Sequence, residues 1–138
     1  MKNLKLTVGL IAIFLVSTAF TTQDDALKAS MKRGKGEYEG YCSTCHMNEG
    51  QGMTGIFPPL AKSDYLMADT DRAIQTLING LQGEIEVNGV KYDQVMPESG
   101  YDDQQIADVL NFVMNSWGNK AEETLTKARV AKVRASLK

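Results

Sequence analysis

The chain has one histidine and two cysteines among its 138 residues, and all three fall within one pentapeptide, Cys42-Ser43-Thr44-Cys45-His46. No other imidazole is available to bind a metal, and no third thiol can form a disulfide with either cysteine within the chain. A zinc site falls short on ligand count, because the only three soft ligands lie within one helical turn. No apolar run reaches the ~20 residues needed to span a bilayer; the longest, Leu6 to Phe20, has 15. Charge of neither sign dominates. Fifteen basic residues face 17 acidic ones, a formal charge of −2, which does not suit nucleic acid.

What is present is C-x-x-C-H, the attachment signature of a c-type haem. Cys42 and His46 are four residues apart, so on a helix they share a face, with Cys45 nearby. Two thiols so placed can bond to the two vinyl edges of one porphyrin, and the histidine that follows can reach the iron. One alternative is a redox dithiol of the thioredoxin kind, which expects a βαβ context. None surrounds residue 42.

The start of the chain reads as a secretory signal peptide over residues 1–21. Lys2 and Lys5 form a positive region, an apolar run follows, and Ser17-Thr18-Ala19 supplies small residues near the expected cut. An uncleaved membrane anchor is the alternative. No cysteine stands at the cleavage region for a lipid anchor. Export places the protein in the periplasm. Loss of Lys2 and Lys5 leaves 13 basic against 17 acidic residues, a charge of −4, suited to meeting basic patches on partners.

Residues 22–30 are polar without a strong pattern and read as a flexible lead-in. Met31 to Tyr41 reads as a helix, with Gly34, Tyr38, Tyr41 and Cys42 on one face. Gly34 should weaken that helix by about 1 kcal/mol relative to alanine, a cost accepted where another helix approaches closely. Met47 to Leu60, rich in glycine and ending Phe57-Pro58-Pro59-Leu60, is a loop. Asp69 or Thr70 caps a helix from about Asp71 to Asn79, and Gly80 ends it. Glu84 to Val87, Asn88-Gly89, and Val90 to Tyr92 form a hairpin signal. A further helix runs from Tyr101-Asp102-Asp103 to about Trp117, with Ile106, Val109, Leu110, Val113 and Met114 as its apolar stripe. A last basic segment, Thr126 to Leu137, reads as a surface helix with Val130, Val133 and Leu137 against the domain; the functional alternative is a docking element for an acidic partner or anionic membrane.

A haem iron with one histidine ligand needs a sixth or stays open. A thioether suits an electron carrier, since Met/His ligation raises the reduction potential. The chain holds seven methionines. Met1 lies in the signal, Met31 in the lead-in to the first helix and Met114 in an apolar stripe. Met47 adjoins His46, and Met53 is on the wrong side unless its loop wraps fully. Met96 is preferred, because it lies in non-helical chain fixed by Pro97. Met67 is the runner-up. His46 should donate its second ring N–H to a carbonyl, and Pro58 or Pro59 is placed for that. Phe57, Leu60, Ile74, Ile78 and Tyr92 are candidate haem walls.

Taken together, residues 31–118 resemble a class I c-type cytochrome. Gly34 and Tyr38, eight and four residues before Cys42, match that family's glycine and aromatic on the first helix. The resemblance implies an aromatic partner on the last core helix, and Phe112 fits. Pro58-Pro59-Leu60 is similar to the family's proline loop, and Met96-Pro97 to its axial loop. Gly80-Leu81-Gln82-Gly83 through Val87-Asn88-Gly89 to Tyr92, with the ending Asn115-Ser116-Trp117-Gly118-Asn119 and Val130, Val133, Arg134, resembles small bacterial mono-haem cytochromes. Such proteins act beside, or fused to, periplasmic oxidoreductases and terminal oxidases.

The expected fold is therefore all-α: four to five helices around one covalently bound haem, with a short β-hairpin near residues 84–92. Residues 31–118 form the cytochrome domain, and residues 119–138 a basic helical extension. The expected function is one-electron transfer through haem c held by Cys42, Cys45 and His46, with His46 and Met96 on the iron. The protein is then a carrier rather than an enzyme, a monomer that meets an oxidase, reductase or dehydrogenase, including as the cytochrome subunit of such a complex. The rivals are a haem sensor or small catalyst with an open sixth site, and a thiol–disulfide oxidoreductase.

Overall fold

The computed structural model describes residues 23–138, so the expected signal peptide lies outside the described residues. Helix α1 covers residues 23–46, broken by one π turn, Tyr38–Cys42. At that turn the Ser43 N–H reaches back five residues to the Tyr38 carbonyl, while the Ser43 hydroxyl donates to Glu39 O at 3.0 Å. Such turns are short and often stand at functional sites; this one leads directly into the cysteine motif.

The expected flexible lead-in is instead helical from residue 23. Its last residue, Ser30, is buried and donates to Asp108 Oδ1 at 2.6 Å. A polar stretch without a period is held in a helix because its anchor lies on another element.

Helix α2, Asp64–Ala68, went unseen in the sequence because one turn is too short to show a period. Ser63 caps it by accepting from Leu66 N. Helix α3, Thr70–Asn79, is capped by Asp69 and ends at Gly80, whose φ is +75°. Strands β1, Ile85–Val87, and β2, Val90–Tyr92, pair antiparallel with Ile85 opposite Tyr92. Asn88 and Gly89 both have positive φ, as a tight primed turn requires. Asn88 also exchanges two hydrogen bonds with Asp64, 3.1 and 2.8 Å, which tie the hairpin to the start of α2.

Helix α4, Asp103–Val113, opens on a capping box formed by Asp102 and Gln105. It stops short of the expected Trp117. Asn115 and Ser116 turn their side chains back onto the carbonyls of Asn111 and Phe112, and Trp117 takes φ +53°. That conformation seats the indole 4.9 Å from the Tyr38 ring, centroid to centroid. Phe112 lies 5.6 Å from Tyr38, the partnership that the family resemblance implied.

Helix α5, Lys127–Ser136, is capped by Thr126 and packs on α3 and α4. Val130 and Val133 are buried as expected, but Leu137 is exposed. Arg129 pairs with Asp71, and Arg134 with Asp103 at 2.7 Å. Ahead of it, Leu125 is buried between the two ends of one amide: Asn111 donates to Leu125 O and accepts from Leu125 N, both at 2.8 Å. These five helices and one hairpin make a mainly helical fold among the described residues. No helix among them is long and apolar enough to cross a membrane.

The centre of the packing is the crossing of α1 over α4. A Cβ on Gly34 would stand 1.9 Å from Asp108 O. Beside it, the 3%-exposed Asp108 side chain accepts from Ser30, from Arg33 at 2.7 and 2.8 Å, and from Gln104 at 3.0 Å. Burial pushes its carboxyl up, but those hydrogen bonds outweigh burial and hold it below the ordinary value. Because the folded-state value lies below the unfolded ~3.9, this stabilisation is full above about pH 4 and is lost as pH falls through the folded value. Asp108→Asn should weaken the fold at neutral pH and flatten its acid dependence, read as denaturation midpoints between about pH 5 and 2. Gly34→Ala should cost about 2–3 kcal/mol by overpacking, measured by denaturant unfolding.

Candidate functional site

His46 closes α1; Met47, with φ +64°, turns the chain out of the helix. The imidazole is 7% exposed, and its Nδ1 lies 2.9 Å from Pro58 O. A carbonyl only accepts, so Nδ1 carries the proton and Nε2 keeps a free lone pair. Burial lowers the imidazole pKa, partly offset by the Pro58 contact, which favours the neutral ring. That is the form a metal ligand needs.

The Pro58 carbonyl is itself held by the loop's backbone. Gly52 N donates to His46 O at 3.0 Å, Met53 N to Phe57 O at 2.8 Å, and both Leu60 N and Ala61 N to Gly50 O. Gly52, at φ +61°, is where the loop closes on itself: a Cβ there would stand 2.3 Å from Phe57 O and 2.7 Å from Pro58 O.

Cys42, His46 and Met96 all line one cavity of about 730 Å³ including its open mouth. The apolar wall comes from α3, the hairpin and α4, with Leu77, Ile85, Val87, Val109 and Leu110 among its side chains. Of the five expected wall residues only Leu60 is there; Phe57, Ile74, Ile78 and Tyr92 are not. Ile74 and Tyr92 are spent in the protein's own packing, at 0% and 5% exposure. Leu77 and Leu110 share helix faces with core residues, and nothing local marks them as lining a cavity.

Met96 reaches the cavity through a backbone bridge. Leu81 N donates to Met96 O at 2.9 Å and Met96 N to Leu81 O at 3.0 Å. Gly80 lets that strand pass, since a Cβ there would lie 2.6 Å from Met96 O. Ser99 adds two hydrogen bonds to Leu77 O, from its N–H at 3.0 Å and its hydroxyl at 2.8 Å. Met67 packs against the core and is not in the cavity wall.

Cys45 is half-buried and outside the wall, and the two thiols form no disulfide. Burial pushes the Cys42 thiol up to about 11. A redox dithiol wants its attacking thiol lowered, not raised. The polar side chains of the wall besides His46 are Ser63, Tyr65, Arg72 and Thr76, all from the stretch that includes α2 and α3. Sequence reasoning missed these four; Arg72 looked like any exposed residue in a first helical turn.

These residues fit a haem. There is an imidazole with one nitrogen engaged by a carbonyl, a thiol and a thioether in the same wall, and a largely apolar enclosure. A helical protein with that site at the end of its first helix falls in the haem-carrying class. The family model described as cytochrome c matches residues 31–117. Cytochrome c-552 of Thermus thermophilus is 41% identical over 103 residues, 68% of this chain and 79% of that protein. The cytochrome c subunit of alcohol dehydrogenase (quinone) from Gluconacetobacter polyoxogenes is 35% identical over 73% of this chain, but only 22% of its own length. The gluconate 2-dehydrogenase cytochrome c subunit of Pantoea cypripedii is 34% identical over 85% of this chain and 28% of its own length.

The chain belongs to the cytochrome c family. Membership makes it an electron-carrying c-type cytochrome with covalently bound haem c.

Gly52→Ala should displace the Pro58 carbonyl from His46 and strain a left-handed position. The expected loss is about 1–3 kcal/mol, read as a lower Tm of the haem-loaded protein.

Proposed function

We propose that this chain carries one haem c, attached through Cys42 and Cys45 and ligated by His46 and Met96, and shuttles single electrons between redox proteins of the periplasm. The observation that carries this reading is the meeting of His46, Cys42 and Met96 in one apolar cavity, with His46 Nδ1 already spent on Pro58 O. Bound haem supplies the one-electron chemistry of its iron. The protein's own residues do the rest. Cys42 and Cys45 hold the group covalently, so it is not lost between partners. The Pro58 carbonyl fixes the ring orientation of His46 and raises its basicity. The Leu81–Met96 bridge holds the thioether in place. The apolar wall excludes water, which together with a thioether ligand favours the reduced state.

Delivery to the periplasm follows from the signal peptide read at residues 1–21. A dehydrogenase is a fitting partner, because several relatives are named as cytochrome subunits of such enzymes. This protein acts as a monomer, with contacts of the small, transient kind usual for redox encounters.

The test is the visible spectrum in both oxidation states, native and after denaturation. Haem that stays with the denatured chain and a low-spin ferric form with the weak red methionine–iron band support the reading. Met96→Ala should abolish that band and lower the potential. A high-spin ferric wild type without the band would establish an open sixth site instead, and a band that survives Met96→Ala would move the ligand to Met67. Colourless protein with two titratable thiols, from a host competent in haem attachment, would replace the cytochrome by a dithiol.

A further inference from the structure

Helix α4 is followed by Asn115-Ser116-Trp117-Gly118-Asn119, and none of these residues lines the cavity. Asn119 has the least ordinary surroundings of the five. Its Nδ2 donates to Leu60 O and to Val113 O, both at 2.8 Å. Two carbonyls only accept, so the NH2 end of the amide must face them. Its Oδ1 is buried and makes no hydrogen bond, alone in this among the buried side-chain nitrogens and oxygens of the described residues. A buried acceptor left unmade is costly, and in a native fold such a group calls for a reason. The reason lies in what the other end of the amide holds, which is Leu60, 59 residues away.

Leu60 stands two residues beyond Pro58, whose carbonyl lies 2.9 Å from His46 Nδ1. Neither Pro58 nor Pro59 has an N–H with which to anchor itself. Pro59 also locks its own φ and restricts Pro58 before it. The stretch from Pro58 to Leu60 is therefore stiff, and a shift at one end moves the other. Leu60 is gripped from both sides: its N–H donates to Gly50 O at 2.7 Å, and its carbonyl accepts from Asn119. The neighbours of Asn119 grip the same loop. Trp117 sits so close to Gly50 that a Cβ there would stand 2.5 Å from Cε3 of its ring. The Lys62 side chain lies across Gly118, where a Cβ would come within 2.9 Å of Lys62 Cε. Lys62 holds φ +50°, a conformation that persists in a lysine where the surroundings enforce it.

We infer that Asn119 is a positioning residue for the axial histidine: by holding Leu60 O, it keeps the Pro58 carbonyl on the His46 Nδ1 proton. The inference rests on the haem reading of the site. Asn119 stands outside the cavity wall and acts through the proline loop. An amide is the short, uncharged side chain with two N–H donors, which two carbonyls on different elements require; the unmade bond at Oδ1 comes with it. The contact that Asn119 protects sets the orientation and basicity of His46. A more basic imidazole favours ferric iron, so loosening the contact raises the reduction potential and frees the Nδ1 proton to exchange.

The experiment compares haem-loaded wild type with Asn119→Ala, Asn119→Asp and Asn119→Gln, and with Val133→Ala on α5 as a destabilised control outside the loop. The readouts are hydrogen exchange of the His46 Nδ1 proton, followed by NMR in the reduced state, and the midpoint potential. Asn119→Ala and Asn119→Asp keep no donor. Each should speed that exchange by about fivefold or more and raise the potential, with the methionine–iron band in place. Asn119→Gln keeps both donors and should recover much of the protection. Val133→Ala should leave both readouts near wild type. Wild-type exchange in Asn119→Ala or Asn119→Asp overturns the assignment. So does an equal acceleration in Val133→Ala, which would mark a general loss of stability. Where neither variant accumulates with haem, the wild type decides. Equal protection factors for the Asn119 amide and the His46 Nδ1 proton support one shared opening, and factors that differ by about tenfold or more overturn it. A wild type that carries no covalent haem would overturn the cytochrome reading itself, and shows in the spectrum before any exchange is measured.

Discussion

Everything in the site depends on α1 lying directly on α4 at Gly34. Only a residue without a side chain allows that contact, since a Cβ would meet Asp108 O at 1.9 Å. The crossing sets where the far end of α1 falls, and that end carries Cys42, Cys45 and His46. The polar cluster around Asp108 locks the crossing in rotation as well as distance. Ser30 and Arg33 from α1 and Gln104 from α4 converge on one carboxylate. One turn further along, Tyr38, Phe112 and Trp117 pack their rings at tilted and edge-on angles, and the Tyr38 hydroxyl donates to Met47 O at 2.5 Å. The residue after the histidine is thereby tied back to the same crossing.

Two loops of similar construction meet across the cavity wall. In each, a glycine with positive φ lets backbone approach backbone, and the side chain that matters is delivered by main-chain hydrogen bonds. Gly52 does this beneath the Pro58 carbonyl that orients His46; Gly80 does it beside the Leu81–Met96 bridge. Groups held by backbone are less free to swing than groups held by long side chains. A carrier gains from this, because a site that changes little between oxidation states wastes little energy in reorganisation.

The segment after residue 118 has a structural use that its basic composition does not announce. Two of its arginines are consumed by Asp71 and Asp103, and two valines are buried. Asp71 lies in the first turn of α3, the helix that also carries Arg72 and Leu77 into the cavity wall. Helix α5 thus braces the wall from outside. The reading of this segment as a surface helix packed on the domain accounts for what is seen; its lysines remain on the solvent side.

Much of this was legible in the sequence, and for local reasons. The motif's spacing defines its chemistry without reference to anything distant. Asp69, Asp102 and Thr126 cap helices within three residues of themselves, and Asn88-Gly89 specifies its own turn. Gly34, Tyr38 and Phe112 were legible through resemblance, and the structure gives their physical basis. What tertiary structure decided was every choice between neighbours that look alike. Pro58 rather than Pro59 faces His46, and Met96 rather than Met67 enters the cavity. Residues 23–30 are helical rather than flexible, and Arg72 alone of the four arginines turns inward. The deciding partner lies outside the local pattern, 12 residues away for His46 and Pro58 and 78 for Ser30 and Asp108. A chain's own pattern records its period, its caps and its turns; which distant group a side chain meets is set only when the helices cross.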